Sequence, residues 1–435
     1  MTTQANVRMW GTDIGYVTLD DDRQIANFEY DRDFLRSGIE VSPLRVPLSS
    51  QVYRFPELSM KSFHGLPGLL ADSLPDKFGN AIIDTWLATK GRTPESFNAV
   101  ERLCYIGARG MGALEFKPDK RRGRPSSSKI HVAQLVKLAS EILTHRSSLS
   151  TVFAHRQDDQ AVREILRVGT SAGGARAKAL IAWNPKTNEV KSGQVPAEIG
   201  FEHWLMKFDG VKNNRDKELA DPEGYGAIEY AYYNMAKDAG ISMMPCRLFE
   251  ENGRRHFMTK RFDRTDDGVK MHMLSLAALA HYDFNMAGAY GYEQAIMIME
   301  ELGLGRDAIE QQFRRMAFNI VARNQDDHVK NIAFLMDRKG QWSLSPAFDV
   351  TYSYNASGDW TSAHQMTLNG KRDGFVMDDF EACSKLARLK QGKAKAIIKE
   401  IQTIVSKSRD YADEVKVHPD QRNKIQQALR LDLLM

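Results

Sequence analysis

Residues 319–350 read NIVARNQDDHVKNIAFLMDRKGQWSLSPAFDV, and this stretch decides how the rest of the chain is interpreted. Its first residues continue an apolar helical pattern that ends in a polar loop at residues 324–330. Alternating apolar residues on both sides of the turn sequence DRKG then predict a two-stranded hairpin. The hairpin therefore separates Asp326 and Asn331, which lie on the loop, from Asp349, which follows the second strand.

This layout has a chemical interpretation as a phosphoryl-transfer site. One carboxylate can orient an attacking hydroxyl and accept its proton, while an amide and a second carboxylate hold a divalent metal. Asp326 and Asn331 have the D-x-x-x-x-N spacing of protein kinases, and Asp349 occupies the place of their later metal-binding aspartate. Asp327 is one residue out of register, so we interpret it as a neighbour of the base. A structural turn and an incidental Asp-His-Asn cluster are the alternatives for these residues alone.

Composition limits the class of protein. The 435 residues predict two to three domains, and 42% hydrophobic with 27% charged residues is ordinary for a soluble globular protein. The sequence contains no apolar run long enough to span a bilayer and no N-terminal signal pattern. Its three cysteines are widely separated, which favours a reducing cytoplasm without disulfides or a zinc site. A net charge of +4 does not by itself indicate nucleic-acid binding.

A second informative segment, residues 167–178, reads RVGTSAGGARAK and leads into a predicted strand. Small residues between strands let backbone N–H groups approach a polyphosphate closely, although the Walker A pattern is absent. Lys207 lies on a later predicted strand, where a kinase places its phosphate-contacting lysine, and Glu229 on the next predicted helix can pair with it. A Gly-rich hairpin turn and an unrelated lysine and glutamate are the alternatives.

The order of predicted elements is mixed β and α, then a small β lobe, then helices. Strands are predicted within residues 7–30, and a helix is predicted between Pro75 and Gly91. Helices predicted in the last third of the chain lie at residues 293–303, 306–322, 377–389, 393–411 and 418–433.

Taken in order, these segments resemble the HipA family of bacterial toxin kinases over nearly the whole chain. The resemblance is carried by LADSLPDKFG, GARGMGALEF, GTSAGGARAKAL, HWLMKF, MPCRL, KRFDR, KMHMLSLAALAH, NQDDHVKN and SPAFDV. It implies an α+β, divergent two-lobe protein-kinase-like fold with a β-rich N-lobe, an all-helical C-lobe and an extra N-terminal β/α subdomain. The implied domains are the N-terminal subdomain (1–120), a basic linker (121–130), the kinase N-lobe (131–260) and the C-lobe (261–435).

The resemblance also implies roles for individual residues. Asp326 would be the catalytic aspartate, Asn331 and Asp349 the Mg²⁺ ligands, and Lys207 a contact of the ATP phosphates, with Glu229 as its ion-pair partner. The other implied ATP-binding residues are Gly169, Thr170, Ser171, Ala172, Gly173, Gly174, Lys178, Thr259, Lys260, Arg261, Phe262, His328 and Lys330.

Two features of the family bear on regulation and on departures from its pattern. Ser171 matches a serine whose autophosphorylation expels the Gly-rich loop and inactivates the kinase, and Thr170 is a rival acceptor. Lys260 stands where some relatives have glutamate, so adenine contacts there must come from the backbone. Asp327 stands where other relatives have glycine.

The implied function is a Ser/Thr protein kinase that transfers the ATP γ-phosphate to a protein hydroxyl, with an aminoacyl-tRNA synthetase as an expected substrate. The implied partners are a HipB-like helix-turn-helix antitoxin and, through it, operator DNA, and no membrane partner is expected. Lys371 and Arg372, and the linker around Arg122, are candidate DNA-facing residues. The alternatives are a small-molecule phosphotransferase of the aminoglycoside type and a non-catalytic antitoxin-binding corepressor.

Overall fold

The structure is a computed structural model that describes most of the chain. The described residues are 3–20, 22–88, 90–118, 130–144, 169, 176–193, 198–211, 215–216, 219–220 and 224–433. The predictions made for residues 170–174 of the Gly-rich loop, and for the linker around Arg122, lie outside the described residues.

An antiparallel four-stranded sheet opens the fold. Its strands are β1 (Thr3–Met9), β2 (Thr12–Asp20), β3 (Ile25–Tyr30) and β4 (Leu114–Lys117), in the order β3-β2-β1-β4. Buried and exposed positions alternate along β1, as expected of a strand with one face on the core. The predicted N-terminal strands are therefore confirmed.

The helices between and after these strands are mostly short. They are α1 (Met60–Phe63), α2 (Gly68–Ala71), α3 (Lys77–Ala88), α4 (Ala99–Ile106) and α5 (Val132–Thr144). The N–H of Gly79 donates to Asp76 Oδ1 at 2.6 Å, so Asp76 satisfies one of the free donors at the start of α3. Asn98 and Glu101 form a capping box at the start of α4.

A five-stranded antiparallel sheet follows, with the order β10-β11-β7-β5-β6. It contains β5 (Lys178–Trp183), β6 (Val190–Ser192), β7 (Glu202–Lys207), β10 (Cys246–Glu251) and β11 (Arg254–Lys260). Two strands of two residues each, β8 (Arg215–Asp216) and β9 (Leu219–Ala220), form a separate small sheet. Helix α6 (Tyr225–Asp238) follows them and packs on β10 and β11. Lys178 and Lys207 are cross-strand partners in this sheet.

The last part of the chain is helical around a small sheet. Its helices are α7 (Leu276–Ala280), α8 (Tyr292–Glu301), α9 (Arg306–Val321), α10 (Met377–Leu386), α11 (Lys393–Val405), α12 (Ser408–Glu414) and α13 (Pro419–Ala428). The expectation of an all-helical C-lobe is wrong, because β12 (His272–Ser275), β13 (Ala333–Met336) and β14 (Trp342–Leu344) form a three-stranded antiparallel sheet. The predicted hairpin pairs with a third strand, β12, which buries the otherwise open edge of β13.

The two largest of four hydrophobic clusters among the described residues hold these elements together. The larger core joins the N-terminal sheet to the helices of the last part of the chain. The second core joins Phe78 and Ile82 of α3 to α5 and to Trp183 and Trp204 of the five-stranded sheet. Helix α3 therefore lies in the N-terminal part of the sequence but packs against the sheet that carries Lys207. The domain boundaries given above stay a prediction.

A buried ion cluster docks the glycine-rich bend before β4 onto the KRFDR segment. Asp263 accepts from Arg261 Nε at 2.8 Å and Nη2 at 2.7 Å, from Arg264 Nη1 at 2.9 Å, and from the N–H of Gly112 at 2.7 Å. Gly112 has φ +74°, and a Cβ there would lie 3.2 Å from the Met273 nitrogen. The glycine is therefore needed for the turn and for the close approach of the two segments.

Candidate phosphoryl-transfer site

Lys207 is the centre of the candidate site. Its Nζ lies 2.5 Å from Glu229 Oε1 and also contacts the Asp349 carboxylate. These residues come from β7, from α6 and from the turn after β14, so three separate elements meet at one ammonium group. The structure thus brings together a lysine, a glutamate and an aspartate that the sequence placed far apart.

The opposite charges of these side chains favour the ionised forms of Lys207 and Asp349, although burial opposes them. Burial disfavours the ammonium form of Lys207, but the adjacent Asp349 and Glu229 carboxylates outweigh it and raise the pKa of Lys207. Burial also opposes the charge on Asp349, yet Lys207 and then Lys178 lower the pKa of Asp349 to about 2. Lys207 and Asp349 are therefore both ionised near neutral pH.

The loop between α9 and β13 carries Asp326 and Asn331. Asn331 Nδ2 donates to the Asp326 carbonyl oxygen at 2.8 Å, so the two predicted residues are tied to each other. A short 3₁₀ turn, Val329–Asn331, produces this contact. His328 Nε2 lies 3.9 Å from Asp326 Oδ1, and the Lys330 ammonium lies 4.7 Å from the centre of the Phe284 ring.

Oxygen atoms that suit a hard divalent cation converge beside this loop. Asn331 and Asp349 line one cavity together with Asn324 and His328. The amide nitrogen of Asn331 donates to Asp326, so its Oδ1 can act as a ligand. Asn324 Oδ1 is buried and has no hydrogen-bond partner among the residues that the structure describes. Carboxylate and amide oxygens are the ligands that Mg²⁺ prefers. The donor set therefore fits the predicted magnesium site.

The segment Thr259 to Phe262, expected to bind adenine, ends β11 and leaves the sheet. The N–H groups of Lys260 and Arg261 donate to the carbonyls of Pro245 and His203, both at 2.9 Å, which fixes the backbone. The Arg261 side chain is buried in the pair with Asp263, and the Lys260 ammonium contacts Glu202 and Asp266. The ring centres of Phe262 and Phe348 lie 5.4 Å apart, and Phe348 directly precedes Asp349 in the chain.

Lys178 has a partner that sequence reasoning missed. Its Nζ lies 3.6 Å from Asp76 Oδ2, and both side chains are almost fully buried. Burial raises the pKa of Asp76 to about 6, although the charge of Lys178 lowers it. The N-terminal residues therefore contribute a titratable group beside Lys178.

This shift predicts a pH-dependent stability. Because the folded-state pKa of Asp76, about 6, lies above its ordinary value of 3.8, folding favours the protonated form. Its contribution to stability is therefore present below pH 3.8 and is lost as the pH rises through 6. Relative to Asp76→Asn, we expect the unfolding free energy of the wild type to fall by up to about 1.4 kcal/mol per pH unit in that window. Urea titrations between pH 4 and 7 measure it.

The exposed carboxylate of Asp22 provides the control for that experiment, since Asp22→Asn should keep the pH dependence of the wild type. Parallel stability curves for the wild type and Asp76→Asn between pH 4 and 6 would contradict the assignment.

Asp327, interpreted above as a neighbour, is the centre of a buried network. Its Oδ2 accepts from the Tyr292 hydroxyl at 2.5 Å and lies 2.7 Å from His364 Nδ1, and its Oδ1 accepts from the Gln365 N–H at 2.8 Å. His364 Nε2 in turn lies 2.9 Å from Arg430 Nη1. The arginine can only donate, so His364 accepts through Nε2 and donates through Nδ1 to Asp327. No spacing in the sequence indicates this network.

The two candidate DNA-facing residues make internal contacts. Lys371 Nζ lies 2.8 Å from the buried Asp379 carboxylate, and Arg372 Nε donates to the His364 carbonyl at 2.6 Å. Both side chains thus support the loop after β14, and their role toward DNA stays a prediction. Among the described helices, each is too short or too polar to cross a lipid bilayer.

Comparison with known proteins finds a solved structure with a similar fold and a curated relative in sequence. A structure from Shewanella oneidensis MR-1, described as a toxin–antitoxin complex of HipA, HipB and operator DNA, superposes with a TM-score of 0.67 at 15% identity, covering 97% of this chain and 94% of that one. Y4dM of Sinorhizobium fredii, a candidate kinase by its name, is 24% identical over 217 residues, 47% of this chain. The chain spans about half of the length of this curated relative, 51%.

Two family matches cover most of the sequence. Residues 5–117 match the HipA N-terminal domain, and residues 170–408 match the HipA-like C-terminal domain, which is more than half of the chain. The resemblance stated from the sequence motifs is thereby confirmed, and the chain belongs to the HipA family.

Proposed function

We propose that this chain is an ATP-dependent Ser/Thr protein kinase and the toxin of a toxin–antitoxin pair. The observation that carries the proposal is the position of Lys207 between Glu229 and Asp349, beside the loop that holds Asp326 and Asn331. A lysine–glutamate pair and a metal-binding aspartate must both be in place in an active protein kinase. Family membership supports the same activity.

In this mechanism Lys207 neutralises charge on the ATP phosphates, and Asp326 orients the acceptor hydroxyl. The acceptor oxygen forms a bond to the γ-phosphorus while the bond from that phosphorus to the β,γ-bridging oxygen breaks. ADP leaves with the electron pair of the broken bond, and the proton of the hydroxyl goes to Asp326. A bound Mg²⁺ would supply positive charge that offsets the negative charge of the transferring phosphoryl group. Asn331 and Asp349 are the residues that would hold it.

Membership of the family and the Shewanella complex support the partners that we propose. We propose a HipB-like antitoxin, operator DNA bound through that antitoxin, and a protein substrate such as an aminoacyl-tRNA synthetase. The experiment that tests the activity is phosphoproteomics of cells that express the wild type or Asp326→Ala. Phosphosites present only with the wild type support a protein kinase, and identical phosphoproteomes would contradict it. Phosphate found only on small molecules would favour the aminoglycoside-type alternative.

Self-inactivation through Ser171 gives a separate prediction. A phosphoserine carries about −1.5 to −2 charge at pH 7, so it would repel the phosphates of ATP in the Gly-rich loop. The described cations closest to Ser171 in the sequence are engaged, because Arg176 lies 3.5 Å above the Tyr225 ring and Lys178 pairs with Asp76. We expect protein incubated with Mg-ATP to gain one phosphate on Ser171 and to bind ATP more weakly. Intact-mass and fragment spectra measure the site, and calorimetry measures ATP affinity.

Ser171→Ala should remain unphosphorylated and keep its ATP affinity after incubation, whereas the matched variant Thr170→Ala should behave as the wild type. Phosphate on Thr170 alone, or none on the loop of an active kinase, would exclude Ser171 as the acceptor.

A further inference from the structure

A tryptophan contacts the proposed catalytic aspartate. The indole N–H of Trp360 donates to Asp326 Oδ1 at 2.7 Å. An indole nitrogen can only donate, so the bond requires an acceptor oxygen on Asp326. Trp360 lies in the long segment between β14 and α10, 34 residues after Asp326, and belongs to none of the motifs that indicated the site.

The segment that carries Trp360 is anchored by the aspartate next to the proposed base. The Gln365 N–H donates to Asp327 Oδ1 at 2.8 Å, and the Gln365 side chain donates to the Trp360 carbonyl and, at 3.2 Å, to the Ala363 carbonyl. Asp327 is almost fully buried and is also held by His364 and Tyr292. The pair Asp326-Asp327 is thus linked twice to the same segment, once through each carboxylate.

We propose that Trp360 is a positioning residue for Asp326. An aspartate carboxylate rotates broadly about its last torsion, so hydrogen bonds to its oxygens decide its orientation. The indole N–H holds Oδ1 of Asp326 and so restricts the direction in which the carboxylate meets the acceptor hydroxyl. Fixing the acceptor of the proton before reaction removes an orientational cost from the transition state. This role of Trp360 rests on the proposed kinase function. Asp327 contributes to it indirectly, because Asp327 anchors the segment that carries Trp360.

The kinetic test removes only the hydrogen-bond donor. The isosteric analogue 3-benzothienylalanine, placed at position 360 alone, replaces the indole N–H with sulfur and keeps the shape of the ring, and Trp360→Phe is the simpler variant. We expect the first-order rate of self-phosphorylation at saturating Mg-ATP to fall about ten- to a hundredfold. The ATP concentration that gives half the maximal rate should stay within about twofold of the wild-type value. The reason is that Trp360 acts through Asp326, which orients the acceptor hydroxyl and does not bind the nucleotide.

Trp342 supplies a matched control in the same part of the chain. Its indole N–H donates to the Glu40 carbonyl at 3.2 Å, away from the site, so Trp342→Phe loses a similar bond. We expect Trp342→Phe to keep the wild-type rate. A benzothienylalanine variant at position 360 with the wild-type rate would overturn the proposal. A faster variant would overturn it as well, since Trp360 would then block the hydroxyl position instead of preparing it.

A second measurement tests the contact without any turnover. The indole ¹⁵N–¹H signal that Trp360→Phe removes is expected to lie downfield in the wild type and to move upfield in Asp326→Ala, because the acceptor is lost. Trp342 provides an internal reference signal that should not move. An unmoved Trp360 signal overturns the contact. A wild type that transfers phosphate to no acceptor overturns the proposed function instead, so the two failures are distinguishable.

Discussion

Replacing Asp349 with asparagine is expected to slow phosphoryl transfer about a hundred- to a thousandfold, equivalent to about 3–4 kcal/mol of transition-state stabilisation. The Asp349 carboxylate contacts Lys207 and lines the cavity that Asn331 also lines. Asparagine keeps the size of the side chain but removes the charge that holds a divalent cation. It also suits the backbone, because Asp349 has φ +53°, a left-handed conformation that asparagine tolerates better than alanine.

The measurement is phosphate incorporation from γ-labelled ATP, with thermal unfolding of the same preparations. Lys207 keeps its contact with Glu229 in the variant, so we expect the fold to be retained. Asp432→Asn removes an exposed carboxylate from the same part of the chain and should leave the rate unchanged. A folded Asp349→Asn protein with wild-type turnover would exclude Asp349 from the metal site.

Much of the candidate site could be predicted because its signals are local. The spacing of Asp326 and Asn331 lies within one loop, and a hairpin sets the position of Asp349, so each can be read from a short stretch of sequence. The contact between Lys207 and Glu229 was expected from their order on a strand and a helix, and the structure forms it at 2.5 Å. Their chemical roles remain the subject of the experiments above.

The remaining contacts join residues whose separation in the chain carries no pattern. Trp360 reaches Asp326, and Arg430 reaches His364 across 66 residues. The Asp76–Lys178 pair forms only because α3 packs into the core of the five-stranded sheet. The helix predicted at residues 393–411 ends at Val405 and restarts at Ser408, which the apolar periodicity did not indicate. Tertiary packing decides each of these features.

The largest effect on stability is expected at Asp263. Its side chain is fully buried, and Arg261 and Arg264, both almost fully buried, donate to it together with the N–H of Gly112. Burial opposes the charge on Asp263, but the two arginines outweigh it and hold its pKa well below the ordinary value of 3.8. Asp263→Ala leaves two buried guanidinium groups without their carboxylate. Breaking a buried pair in this way costs about 3–5 kcal/mol.

Chemical denaturation at pH 7 measures this loss, and Asp266→Ala is the matched control. Asp266 is 92% exposed and lies 2.9 Å from Lys260, so removing this surface pair should cost less than about 1 kcal/mol. The pH dependence gives a second check. Because the pKa of Asp263 is depressed on folding, its contribution is present above pH 3.8 and is lost as the pH falls further. The difference in unfolding free energy between the wild type and Asp263→Ala should therefore shrink in acid. Equal losses of unfolding free energy in Asp263→Ala and Asp266→Ala at pH 7 would contradict the role of the cluster.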